Sequence, residues 1–131
     1  IAAGPDRPVW AIAADDSHRE RVGQGWVAVA APALTPAALR ASLLSGRFYA
    51  STGPQLTSIG VDPETGGIGV EAAGAGVLRF IGDDGAVRHW ERTETGLYVP
   101  QSKGEKDRWV RVEATDSAGR TAWSQPFWLA A

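Results

Sequence analysis

Asp16 and His18 are the residues whose types and spacing point most directly to chemistry. A carboxylate oxygen and an imidazole nitrogen both bind borderline divalent metals such as zinc. Two residues apart, they would face one side of a strict strand, and in a loop the backbone could turn both toward one centre. Asp15 could either cap the following turn or accept a hydrogen bond from a metal ligand and so orient it. Alone, Asp-x-His falls short of the three or four ligands of a protein metal site, and it suits a solvated loop as well. Ser17 beside His18 is no nucleophile–base pair, because adjacent side chains rarely bring their functional atoms together and no Gly-x-Ser-x-Gly elbow is present. The other histidine, His89, stands with Trp90 after a hairpin and reads as a half-exposed strand residue. Gly66-Gly67-Ile68-Gly69 and Gly74-Ala75-Gly76 read as hairpin glycines, since no strand–turn–helix context makes them a phosphate cradle.

The elements that must position Asp16 and His18 come next. Pro8 to Ala14 is a continuous apolar run of strand length, predicted to be a strand buried on both faces. It ends in the wholly polar Asp15-Asp16-Ser17-His18-Arg19-Glu20-Arg21, the way α/β barrels present catalytic groups at strand C-termini. A second strand is predicted over Gly25 to Ala30. A helix follows, with Thr35 as N-cap, Pro36 at the first helical position and Gly46 at a left-handed C-cap. Beyond Gly46 the pattern becomes antiparallel β. Leu56 to Val61 and Ile68 to Ala72 flank the turn at Pro63 to Gly67, and Val77 to Ile81 and Ala86 to Glu91 flank Gly82-Asp83-Asp84-Gly85. Trp109 to Ala114 alternates, with Val110, Val112 and Ala114 inward, and Thr121 to Leu129 closes the chain. Pro100 to Asp107 reads as a mobile polar loop. The predicted fold is mainly β: an antiparallel, Ig-like β-sandwich over residues 47–131, preceded in residues 1–46 by the last strand–helix portion of an α/β barrel.

Composition narrows the partners. The 131 residues are 44% apolar and 21% charged, enough to bury a core. With 13 basic residues scattered among 15 acidic ones and a net charge of -2, the chain offers no basic stripe for nucleic acid. No apolar run reaches the length of a membrane span. Without cysteine there are no disulfides or thiolate zinc ligands. The chain has no Met and opens on Ile1-Ala2-Ala3, which reads as part of a longer product.

Several stretches, in order, resemble the end of a metal-dependent hydrolase of the PHP (polymerase and histidinol phosphatase) superfamily, nearest its carbaryl-hydrolase-like branch. They are Asp15-Asp16-Ser17-His18, Gly25-Trp26-Val27, Leu34-Thr35-Pro36, Ser45 to Pro54, Trp109 to Glu113, Asp116 to Arg120 and Ala122 to Pro126. The resemblance implies that Asp16 and His18 are the last metal-ligand pair of a two- or three-metal cluster (zinc, manganese or iron) on a distorted barrel. It also implies that the cluster activates water toward a small ester or phosphoester. The family's opening His-x-His motif and its other ligands are not in this chain, so the remainder of the catalytic domain would be the principal partner and the fragment alone would be inactive.

The six Trp support a different class, a non-catalytic sandwich that binds a glycan or a protein. Trp109 falls on the face opposite Val110 and Val112, where a sugar could stack, although packing against the absent domain would account for it too. A strand at Val9 to Ala14 without barrel neighbours would also leave an edge open to a second copy.

Overall fold

The computed structural model describes residues 4–100 and 107–129, and the loop read at Pro100–Asp107 lies, apart from its two ends, outside them. The chain is mainly β and its sheets are antiparallel. In chain order the elements are β1 (Trp26–Val29), α1 (Pro36–Leu44), β2 (Phe48–Ser51), β3 (Gln55–Val61), β4 (Ile68–Ala73) and β5 (Val77–Gly82). They continue with β6 (Val87–Glu91), β7 (Thr95–Tyr98), β8 (Trp109–Thr115), β9 (Thr121–Trp123) and β10 (Phe127–Trp128). One sheet runs β1-β2-β9-β8-β5-β6, with β10 also paired to β8, and the other runs β3-β4-β7.

The two sheets share one apolar core. Val110, Val112 and Ala114 of β8 point into it, as their alternation predicts, and meet Leu78 and Phe80 of β5. Ile68 and Val70 of β4 and Tyr98 of β7 close it from the second sheet. The hairpin turn at Asp84-Gly85 is built as read, with Gly85 at φ 84°, a conformation that costs glycine little.

Helix α1 forms for the reasons its sequence suggests. The Thr35 hydroxyl accepts from the Ala38 amide at 3.2 Å, Pro36 opens the first turn, and Gly46 ends the helix at φ 72°. Gly46 meets a second demand that the sequence does not reveal: a Cβ there would lie 2.7 Å from the Trp10 ring. The buried Ser42 hydroxyl donates to the Ala30 carbonyl at 2.8 Å and ties the helix to the end of β1.

The predicted strand at Pro8–Ala14 does not form. A strand needs hydrogen-bonding neighbours, and here only Ala11 has one, the Gln125 side chain, whose amide matches its N–H and C=O at 2.8 Å each. Val9 and Ile12 are 68% and 72% exposed, where a strand covered on both faces would bury them. The large sheet crosses residue 46 without a break, because β1 pairs with β2 from Trp26↔Ser51 to Val29↔Phe48.

A candidate metal-ligand loop

The polar stretch after Ala14 forms a loop whose base is closed by Asp15. Its Oδ2 accepts from the Gly23 amide at 2.7 Å, and its Oδ1 accepts from the Gln24 and Gly25 amides at 2.5 and 2.7 Å. The Asp15 carboxylate thus caps three backbone N–H groups. Gly25 is required at this closure, since a Cβ would come within 3.0 Å of the Ala14 carbonyl oxygen.

These bonds favour the ionised form. The Gly25 N–H first, with those of Gly23 and Gln24, holds the Asp15 carboxyl below the usual carboxylate range, against a smaller opposing effect of desolvation. A depressed folded-state pKa gives a contribution that is complete above the unfolded value of about 3.9 and is lost as pH falls through the folded one. Acidification below about pH 4 should therefore loosen this loop. The Gly23, Gln24 and Gly25 amides should exchange with solvent faster there, and Asp15→Ala should make that exchange fast at every pH.

Inside the loop Asp16 and His18 lie side by side. Their side chains are 95% and 82% exposed, and His18 Nδ1 is 3.9 Å from Asp16 Oδ1. The same Nδ1 lies 2.8 Å from the Asp16 carbonyl oxygen. A carbonyl only accepts, so in the neutral ring the proton resides on Nδ1 and Nε2 keeps its lone pair. A backbone carbonyl holding one ring nitrogen is how many metal-ligating histidines are oriented. The carboxylate faces the occupied Nδ1, so joint ligation with Nε2 requires a side-chain rotation, for which both exposed groups have room. Asp16 and Arg19 have φ of 48° and 75°, unusual for residues other than glycine, and such conformations concentrate at functional loops.

The donors fit a divalent metal in kind but are too few to hold one unaided. Among the described residues no three His, Cys, Asp or Glu side chains converge. His89, on β6, stands apart from this loop in an environment of its own. Its Nε2 is 2.6 Å from Glu91 Oε1, and its ring stacks on Tyr98 at 6.2 Å and meets Phe80 at 5.9 Å. The i, i+2 spacing of His89 and Glu91 in an alternating strand was the available signal for that pair.

The Trp residues fall into a second pattern. The register places Trp90, Arg79, Glu113 and Trp123 in one cross-strand row over β6, β5, β8 and β9, and Trp109 opposite Trp128. Trp90 is exposed, with the Arg92 guanidinium 6.0 Å from its ring centroid, whereas Trp109, Trp123 and Trp128 are half-buried. Compared with protein-family models, with curated proteins and with solved structures, the chain matches none of them.

Proposed function

We propose that the chain is the C-terminal part of a metal-dependent hydrolase of the PHP type. In this reading Asp16 and His18 are one ligand pair of its metal site, and the Ig-like sandwich from residue 47 is an accessory domain. The observation that carries the proposal is the loop: a carboxylate and an imidazole side by side, with Nδ1 bonded to backbone and Nε2 without a partner among the described residues, on a base fixed by Asp15. Residues 1–46 are the end of the catalytic unit, joined to the sandwich through β1, which pairs with β2 of the larger sheet. The remaining ligands and the pocket for a small ester or phosphoester belong to the rest of the unit. Bound there, a zinc, manganese or iron ion would supply an activated water and a Lewis acid.

The distribution of apolar surface supports a missing neighbour. Among the described residues, six of the eleven exposed large apolar ones (Val9, Ile12, Val22, Leu34, Leu43 and Leu44) precede residue 46, and the buried core cluster begins only at Leu56. Surface of this kind is what a covering body removes from water.

Titration of the 131-residue chain with Zn²⁺, followed by NMR, should move the His18 ring signals and the Asp16 and Ser17 amides, with weak affinity. The chain alone should not hydrolyse p-nitrophenyl phosphate or p-nitrophenyl acetate above background. In the complete hydrolase Asp16→Ala with His18→Ala should lower metal content and abolish turnover, and an unchanged metal stoichiometry would overturn the proposal. The Trp row gives a second reading, a glycan-binding sandwich, which predicts a change in Trp fluorescence with oligosaccharide and no response of His18 to Zn²⁺.

A further inference from the structure

A cavity of about 540 Å³ opens on the side of the fold where β1 and β2 face β3. Its apolar lining includes Tyr49, Leu56, Ile59 and Phe127, all of which belong to the buried core or pack against it. Much of the wall is strand, from β1, β2, β3 and β10, so the shape largely exists before any ligand arrives, and the volume lies in the range of small-molecule sites. At roughly 30 Å³ per heavy atom, a liquid-like packing, it has room for a ligand on the order of fifteen heavy atoms.

The polar groups of the lining differ in what they have left to offer. Ser124 Oγ donates to the Gln125 carbonyl and accepts from the Val112 amide, and the Gln125 side-chain amide is engaged with Ala11. Both are committed to the fold. Arg47, where β1 ends and β2 begins, is not. Its guanidinium makes one long contact, 3.5 Å to Ser42 Oγ, and among the described residues no carboxylate pairs with it. An arginine has five N–H donors in a planar fork that matches a carboxylate with two parallel bonds.

From this juxtaposition of an apolar strand-walled cavity and an arginine without an acid, we infer that the groove binds a small carboxylic acid with an apolar or aromatic body. The apolar part lies against Tyr49, Ile59 and Phe127, and the carboxylate pairs with Arg47 at the rim. The inference is independent of the Asp16 loop and stands or falls without regard to metal binding there.

The test is an amide-resolved NMR titration with 4-phenylbutyrate and, in parallel, the uncharged 4-phenyl-1-butanol. The acid should shift the amides of residues 28–30, 47–49, 56–59 and 124–127. Arg47→Gln should weaken the acid about tenfold and leave the alcohol within about twofold, with Arg47→Lys intermediate because it keeps the charge and loses the fork. Arg47 is exposed and its backbone bonds survive either substitution, so an unchanged spectrum of the free variants will show that the fold is intact. Absence of shifts at these amides with millimolar acid would overturn the inference. Equal binding of acid and alcohol by the unaltered chain would also overturn it. So would shifts that grow with protein concentration alone, which would assign the groove to a second copy.

Discussion

Phe80→Ala should lower the free energy of unfolding by about 3–5 kcal/mol, a large part of the 5–15 kcal/mol typical of a domain. Phe80 is fully buried at the middle of β5, with Val112 of β8 opposite it on one side and His89 of β6 on the other. Its ring also reaches across to the second sheet, 5.5 Å from the Tyr98 ring on β7. Truncation therefore removes the ring's own burial and leaves a void between two sheets whose strands cannot collapse into it without breaking pairing. Urea denaturation should show a lower midpoint with an unchanged slope, and Phe80→Leu should recover much of the loss. A cost below about 1 kcal/mol would mean that the two sheets are not joined through this residue.

Elements whose evidence is local were legible in the sequence, and those defined by distant neighbours were not. Helix α1 could be placed because cap, proline and terminal glycine lie within one short segment, and β8 because its alternation records which face is covered. Strand β7 was missed: Thr95-Gly96-Leu97-Tyr98 has the look of a turn, yet Gly96 lies in a strand where a Cβ would stand 3.0 Å from the Leu78 side chain of the other sheet. Strand β2 had no local signal of its own, since its pairing with both β1 and β9 joins segments some 25 and 70 residues away. The run at Pro8–Ala14 shows the opposite failure: its apolar character was plain, but hydropathy cannot say whether a neighbour is present to pair with it. In the candidate site, residue types pointed to Asp16 and His18, whereas His89 was read only as a half-exposed strand residue and its contacts with Glu91, Tyr98 and Phe80 were not anticipated. The use of the Asp15 carboxylate depended on Gly23 to Gly25 folding back across the loop, which spacing does not encode. That the Arg47 guanidinium has no carboxylate partner among the described residues had no signal at all, because ion pairing across the fold is a property of the folded chain.

Asp107→Ala should lower the thermal midpoint by roughly 5 °C and flatten the fall of stability in acid. The Asp107 side chain is only 3% exposed and accepts from Arg88 Nε and Nη2 at 2.7 Å each, a two-pronged bond, with the Asp83 amide at 3.3 Å. It thereby ties the start of β8 to β6 and to the turn before it. Its hydrogen bonds from Arg88 dominate and hold its carboxyl below the usual carboxylate range, with desolvation opposing. Because the folded pKa is the lower one, this stabilisation is complete above an unfolded value of about 3.9 and disappears as pH falls through the folded value. The unaltered chain should lose stability below about pH 4, and the variant, lacking the group, should lose less over the same range. The drop at neutral pH stays moderate because Arg88 keeps Asp84 at 2.9 Å and is not left as an isolated buried cation. Asp15 titrates in the same direction but closes only an exposed loop, so the two carboxylates separate by observable. Acid should speed amide exchange at Gly23–Gly25 without moving the midpoint through Asp15, and should move the midpoint through Asp107. An Asp107→Ala variant whose acid profile parallels that of the unaltered chain would show that the clamp is not what acid breaks.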